Sequence, residues 1–387
     1  MSWQKMFLWL GVVSWLATMV IAILPLRLSW RATACLGVAL ALSLGKFFVF
    51  SFYGGSYSPD LSEGTITVYS VLFGAVLFFL FFSLVAAGGD LIARACRRPV
   101  SLSFRRKRAV ALAVLSVGLA VWGMYEALRP PRVKRISFAW ENLPPAFDGY
   151  RIVQLTDLHC SSAARRDRFE EIVRRVNACR PDLIAITGDF VDGWVADRRA
   201  DLAPLADLRA RDGVVGCAGN HESYWDWEGW RDVLRTWRIR ILDEEGPLTV
   251  SRGAQALAFG GVKDPHFERL QKIDLDARPA FGGTPEGAFR ILLFHRPDPE
   301  MVHAAAADVR LHLAGHTHGG AMLGLRWLVA LHNRGRTRGR YDFAPGRILY
   351  VSAGTGQWCG FPLRLFNPTE ITEITLRRAC APAASQP

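Results

Sequence analysis

Acidic side chains are almost missing from the first third of this 387-residue chain. Up to Arg135 there are four, Asp60, Glu63, Asp90 and Glu126, against 15 Lys and Arg. The rest carries 31 acidic and 32 basic residues, so nearly all of the formal +12 belongs to the first third. A pI near 9.7 would ordinarily suggest a nucleic-acid partner. The neutral remainder argues against one, and none is expected. Cys-x-x-Cys pairs are also lacking among the seven cysteines (Cys35, Cys96, Cys160, Cys179, Cys217, Cys359, Cys380). That argues against a zinc knuckle, and buried free thiols are the expectation. There is no internal repeat.

The first third is rich in long apolar runs. Four stand out: Met6–Leu26, Ala32–Phe52, Ile66–Ala87 and Ala109–Leu128. Each is long enough to cross a ~30 Å hydrocarbon core as a helix. Trp3, Trp15, Trp30, Tyr53, Tyr57 and Trp122 lie at or near their ends, where interfacial aromatics gather. Lys46 interrupts the second run and is expected to snorkel or to face a helix partner. The loop after the first run has Arg27 and Arg31, and the third has seven basic residues from Arg94 to Arg108. The loop Tyr53–Thr65 has none. By the positive-inside rule the first and third loops are cytoplasmic, so whatever follows the fourth helix is extracytoplasmic. The basic cluster Arg129–Arg135 pulls the other way, but it precedes a long domain, where the rule weakens. The expected division is a four-helix transmembrane region over 1–128, a Pro-Pro linker over 129–135, a globular domain over 136–380 and a disordered tail over 381–387.

Past the linker the pattern turns to short apolar runs. Val133–Trp140 alternates as an edge strand does. Tyr150–Thr156, Leu183–Thr187, Val214–Ala218, Leu257–Val262, Ile291–Phe294, Val309–Ala314, Ile348–Ser352 and Ile371–Leu376 read as further strands. Arg168–Cys179 is amphipathic, and Leu202–Arg211 is a polar helix candidate. So many strands imply two packed sheets with helices outside.

Five of these runs end in metal-type side chains: Asp157 and His159, Asp189, Asn220, His295, and His316 and His318. In open α/β sheets ligands gather at the strands' carboxyl edge. Carboxylate, amide carbonyl and imidazole suit Mn, Fe or Zn. A carboxylate shared by two such ions makes a site that cleaves phosphate esters. Taken singly each fragment is ordinary turn chemistry; together they point to one site. His266, His303 and His312 match no fragment and are read as surface or core. Trp225, Trp227, Trp230, Trp237 and Trp358 are candidates for a substrate wall or for plain packing.

At these positions the chain resembles the calcineurin-like metallophosphoesterases. It reproduces D-x-H, G-D-x-x-D, G-N-H-E, H and G-H-x-H in order, as Asp157/His159, Gly188/Asp189/Asp192, Gly219/Asn220/His221/Glu222, His295 and Gly315/His316/His318. The likeness covers about Val133–Arg378 and is closer to bacterial membrane-linked members. One departure is Ala321, where those relatives usually carry Gln.

The resemblance implies an α/β metallophosphoesterase domain, a two-sheet β-sandwich flanked by helices, behind the N-terminal helical transmembrane region. It implies two divalent metal ions, Mn favoured over Fe or Zn. Asp157, His159, Asp189 and His318 would hold one; Asp189, Asn220, His295 and His316 the other. His221 would be catalytic and Asp192 would orient a ligand. Gly315, Gly319 and Gly320 would let the backbone turn beside the metals. The expected activity is hydrolysis of a phosphomonoester, phosphodiester or pyrophosphate in a lipid or small phosphorylated substrate, by a multi-pass protein of the bacterial inner membrane. The alternatives are a non-catalytic membrane binding protein on the same fold, and a UDP-diacylglucosamine-type pyrophosphatase with a cytoplasmic site. The tether from Leu128 to Val133 is only a few residues long, so the domain is expected to sit on the bilayer.

Overall fold

The computed structural model describes residues 3–46, 48–49, 61–271, 280–302, 308–321, 326–358, 360 and 362–379. The expected tail 381–387, His303, Cys359 and Cys380 lie outside them. Two compact units emerge: Met1–Leu128 with Cys359–Leu365, and Arg129–Trp358 with Phe366–Pro387.

The first unit is helical. Helix α1 spans Trp3–Thr18 and runs on through a π turn, Met19–Ile23, to a 3-10 turn, Leu24–Leu26, that contains Pro25. Helix α2 spans Trp30–Leu44 and is capped by Ser29, whose side chain accepts from Ala32 N at 3.3 Å. Helices α3 (Glu63–Ala95) and α4 (Leu102–Leu128) follow. Three stretches are long and apolar enough to cross a membrane: Leu8–Leu26, Glu63–Ala95 and Leu102–Leu128. The second expected run gives a helix of 15 residues, about 22 Å at 1.5 Å per residue. It stops at Gly45; residue 47 and residues 50–60 lie outside the described ones. Lys46 is fully buried. It donates to Ser70 Oγ at 3.0 Å and to the Gly360 carbonyl at 2.8 Å, and lies over the Phe73 ring.

The second unit is a two-sheet sandwich. One sheet has the order β1-β12-β2-β3-β4-β5. Its strands are β1 Arg132–Trp140, β2 Arg151–Leu155, β3 Leu183–Thr187, β4 Val214–Cys217, β5 Ile239–Ile241 and β12 Glu370–Arg378. The other sheet has the order β10-β11-β9-β8-β7-β6. It comprises β6 Leu248–Arg252, β7 Gln255–Val262, β8 Phe289–Phe294, β9 Val309–Ala314, β10 Gly339–Ala344 and β11 Arg347–Val351. Strand alternation sorts the side chains. Leu183 and Ala185 of β3 face the second sheet and pack with Leu257, Ile291 and Leu311. Ile184 and Ile186 face the other way. There they meet helix α5, Arg166–Ala178, which buries Phe169, Ile172, Val173 and Val176 at helical spacing. Each such side chain stabilises the fold by roughly 1.5–3 kcal/mol.

Two expectations need correction. The linker ends at Pro131, because β1 already pairs at Arg132 with Glu370, and Lys134 and Arg135 ion-pair with Glu370 and Glu373 on β12. The polar helix lies earlier: α6 spans Val195–Leu202 and gives way to a 3-10 turn, Ala203–Asp207. Pro204 in that turn has no N–H for an α-helical bond.

β2, β3, β4 and β5 are parallel, and so are β7, β8, β9 and β11. The loops after β2, β3, β4, β8 and β9 carry the seven candidate ligands. β12 runs antiparallel to β2, and β1 runs parallel to β12. The chain therefore enters this unit, at Arg132, on the same edge that bears those ligands.

Candidate metal centre

Five of the seven candidate ligands have left-handed backbone: Asp157 (φ 53°), His159 (φ 46°), Asp189 (φ 54°), His316 (φ 70°) and His318 (φ 48°). Such a conformation costs a non-glycine residue of order 1–3 kcal/mol and persists where its surroundings enforce it. Here the enforcing group is visible. The buried Glu222 carboxylate accepts from the backbone N–H groups of Asp189 (2.9 Å), Phe190 (2.6 Å), Val191 (3.3 Å) and Gly219 (2.7 Å). It ties the loop after β3 to the loop after β4. Gly315 ends β9 so close to β2 that a Cβ there would lie 2.0 Å from Thr156 Oγ1 and 2.4 Å from Asp157 Oδ2.

The side chains converge. His318 Nε2 lies 3.4 Å from Asp157 Oδ1 and 3.1 Å from His159 Nε2. His159 Nε2 is 3.7 Å from Asp189 Oδ2. His295 Nε2 is 3.1 Å from that same Oδ2. His316 Nδ1 and Asn220 Oδ1 pair at 2.8 Å, and the His316 ring packs edge-on to His295 at 5.1 Å between centroids. The structure thus brings Asp157, His159 and His318 together next to Asp189, brings His295 to the same carboxylate, and pairs His316 with Asn220 beside His295.

These donors fit metal ions. His295 Nδ1 donates to the Thr187 carbonyl at 2.7 Å, so the neutral ring, the form that can ligate a cation, would carry its lone pair on Nε2. That Nε2 is buried and makes no hydrogen bond, yet points at a carboxylate oxygen. Two lone-pair atoms facing each other across such a gap suit a shared cation. Among the described residues three clusters of ligand atoms meet the spacing for an ion: Asp157/His159/His318, His159/Asp189/His221 and Asp157/Asp189/His295.

Asp192 joins two imidazoles. Its Oδ2 lies 3.0 Å from His159 Nδ1 and its Oδ1 lies 2.5 Å from His221 Nδ1. Burial works against a charged His221, but Asp192 and Asp189 outweigh it and raise its pKa to about 9. Burial also opposes ionisation of Asp189, yet His295 and His221 beside it hold it well below the usual carboxylate range. His221 is flanked by Tyr224 at 5.2 Å and Trp358 at 6.0 Å, and Tyr224 packs on His266. Trp358 is thus the candidate wall residue beside His221. Trp227 and Trp230 are buried under β3–β5, and Trp225 and Trp237 pack against the same core. His266 stands one ring out from His221, whereas His312 is buried in the second sheet.

Two groups that position the site carried no assigned role in the sequence. Glu222 stands inside the G-N-H-E fragment, so its signal was present. Asn367 donates to the His318 carbonyl at 2.6 Å, and it stands outside every one of the five motif fragments.

A calcineurin-like phosphoesterase family model matches residues 150–320. A Danio rerio protein named "Transmembrane protein with metallophosphoesterase domain" is 33% identical over 334 residues, covering 82% of this chain and 74% of that protein. A Bos taurus protein of the same name is 32% identical over 357 residues, covering 88% and 79%. An "Uncharacterized metallophosphoesterase" of Helicobacter pylori is 33% identical over 254 residues, 66% of each chain.

Proposed function

The chain belongs to the calcineurin-like phosphoesterase family, and from that premise we propose that it is a membrane-anchored, two-metal hydrolase of a lipid-linked phosphate ester or pyrophosphate. Asp157, His159, Asp189 and His318 would hold one ion, and Asp189, Asn220, His295 and His316 the other, with manganese the favoured metal. Bound there, such ions supply Lewis acidity toward the phosphoryl oxygens and an activated water. The chain's own groups do the rest. Asp192 engages His221 Nδ1 and fixes the ring's orientation. The other ring nitrogen, on a cationic imidazole, is suited to protonate the leaving oxygen. Glu222 fixes the backbone that presents Asp189 and Asn220.

The observation that carries the lipid reading is the position of Arg132. It opens β1 on the ligand-bearing edge, four residues after an apolar helix of 27 residues. Four residues span at most ~14 Å. A site on so short a tether reaches substrates at the bilayer surface first, and the basic residues Arg129–Arg135 favour anionic head groups. We place the domain on the extracytoplasmic side of the cell membrane.

The test is a screen of the purified full chain over phospholipid, lipid-pyrophosphate and nucleotide substrates, with and without Mn²⁺. Metal-dependent turnover of a micellar lipid phosphate is expected to exceed that of any nucleotide. Consistently faster nucleotide hydrolysis would remove the lipid reading, and no turnover with any metal would remove the enzyme.

A further inference from the structure

Among the described residues of the second unit six large apolar side chains are exposed: Trp194, Met301, Trp327, Leu328, Leu331 and Phe366. Scattered exposed apolar residues are ordinary. These are not scattered. Trp194 follows β3, Met301 follows β8, and Trp327, Leu328 and Leu331 follow β9. Phe366 lies between β11 and the start of β12. All six therefore lie in connections that begin on the edge bearing the metal ligands. The opposite edge, before β3, β4 and β5, presents Arg180, Arg209 and Arg238 and none of these six among the described residues.

The densest part is a seven-residue helix, Arg326–His332. Trp327 is 78% exposed, Leu328 56% and Leu331 78%. Their i, i+1, i+4 spacing puts them on one helix face. This helix is locked to the metal site. A Cβ on Gly320, two residues past His318, would lie 2.9 Å from Arg326 Cα. Arg326 Nε donates to Thr337 Oγ1 at 3.3 Å, and the Thr337 carbonyl accepts from Thr317 Oγ1 at 2.5 Å. Phe366 is 66% exposed and adjoins Asn367, which holds the His318 carbonyl. Arg326 opens this helix, and Arg334 and Arg338 follow it in the chain.

We propose that this edge is a bilayer-docking surface, with the Arg326–His332 helix lying in the boundary between head groups and acyl chains. Three features select lipid as the occupant. An apolar face bordered by arginines is the pattern of a helix lying in the membrane plane, where guanidinium groups meet phosphates. Trp is a side chain enriched at that depth. The same edge receives the chain from an apolar helix of 27 residues. The docking deepens the lipid-substrate reading and rests on it only for the substrate's identity. It would seat His316 and His318, which precede this helix, at head-group level.

The test uses the full chain in nanodiscs of phosphatidylcholine and phosphatidylglycerol. Leu331→p-benzoylphenylalanine is irradiated, and Arg238→p-benzoylphenylalanine serves as the control on the opposite edge. A phospholipid adduct at position 331 and none at 238 is expected by mass spectrometry. A peptide adduct at 331, no adduct there, or equal lipid labelling at both positions overturns the proposal. In a second arm the Trp327→Ser/Leu331→Ser variant is assayed in proteoliposomes. Hydrolysis of a bilayer-resident lipid phosphate should fall about ten-fold or more while a soluble chromogenic diester is turned over at the parent rate. An equal loss on both substrates overturns the proposal, since it assigns the residues to the site's scaffold. If the lipid adduct forms and the chain hydrolyses no lipid phosphate, docking stands and the lipid-substrate reading falls.

Discussion

Asp192 holds two imidazoles with one carboxylate, and that is the residue-scale reason why His159 and His221 should behave differently on mutation. His159 presents Nε2 to His318 and Asp189, whereas His221 projects beside Tyr224 and Trp358. We expect Asp189→Asn or His316→Ala to lose bound metal and nearly all hydrolysis. His221→Ala should keep its metal and slow turnover roughly 10²–10⁴-fold, the usual scale for a lost proton donor. Full metal content and normal rates in Asp189→Asn would defeat the bimetallic assignment. If His221→Ala sheds metal, His221 belongs among the ligands with His159 and Asp189. Outside the site, His312 offers a pH test. It is buried, its Nδ1 has no partner, and burial lowers its pKa to about 4. The unfolded chain therefore takes up the proton first. Stability is lost as pH falls from about 6.5 toward 4, by at most ~3 kcal/mol. His312→Phe should flatten that segment of a urea-midpoint-against-pH curve measured in detergent. An unchanged slope would show that other groups carry the acid sensitivity.

At the scale of elements, legibility followed how strongly the local pattern was constrained. Leu183–Thr187 and Val309–Ala314 are strands with the bounds that their apolar runs suggest, because a buried parallel strand is apolar on both faces. The helix Trp227–Thr236 is harder to read from sequence. Its buried Trp227, Trp230, Val233 and Leu234 have helical spacing, but a tryptophan-rich stretch suits a substrate wall equally well. Strand β10 is also hard to see: with Arg340 and Asp342 on an exposed edge, it has little apolar alternation to read. The ligands were legible because each ends an apolar run. Their left-handed backbone was not, since Asp and His give no local sign of it. Gly315 is the element-scale hinge, where β9 meets β2. Gly315→Ala would drive a methyl into Thr156 and Asp157. We expect it to lower metal content and activity together, with a Tm drop of several degrees for roughly 1–3 kcal/mol of overpacking. A variant with full metal and unchanged Tm would mean that the two strand ends can part freely.

For the whole molecule the open quantity is orientation, and the helical unit supplies a constraint that residue counts alone lack. Arg106 donates from Nε to the Leu26 carbonyl at 3.0 Å and from Nη2 to the Arg27 carbonyl at 2.8 Å, so the first and third loops meet at one end. Arg108 donates to both oxygens of Asp90 at that end. Helix α2 leaves it, and by Leu44 packs on Phe73 and Val76 toward the start of α3. α3 then returns. The two loops together hold nine basic residues, and the stretch Tyr53–Thr65 has none. By the positive-inside rule that shared end would be the cytoplasmic one, and helix α4, which starts from it, would then lead to an extracytoplasmic Arg132. Lys5, near the start of α1, is the one charged residue ahead of Arg27, so placing that end of α1 outside carries little penalty. Alkaline phosphatase fused after Pro387 should be active in a bacterial host, and a fluorescent protein that matures only in the cytoplasm should stay dark there. The reverse pair of results would put the metal centre inside and turn the substrate search to cytoplasmic nucleotide-sugar lipids.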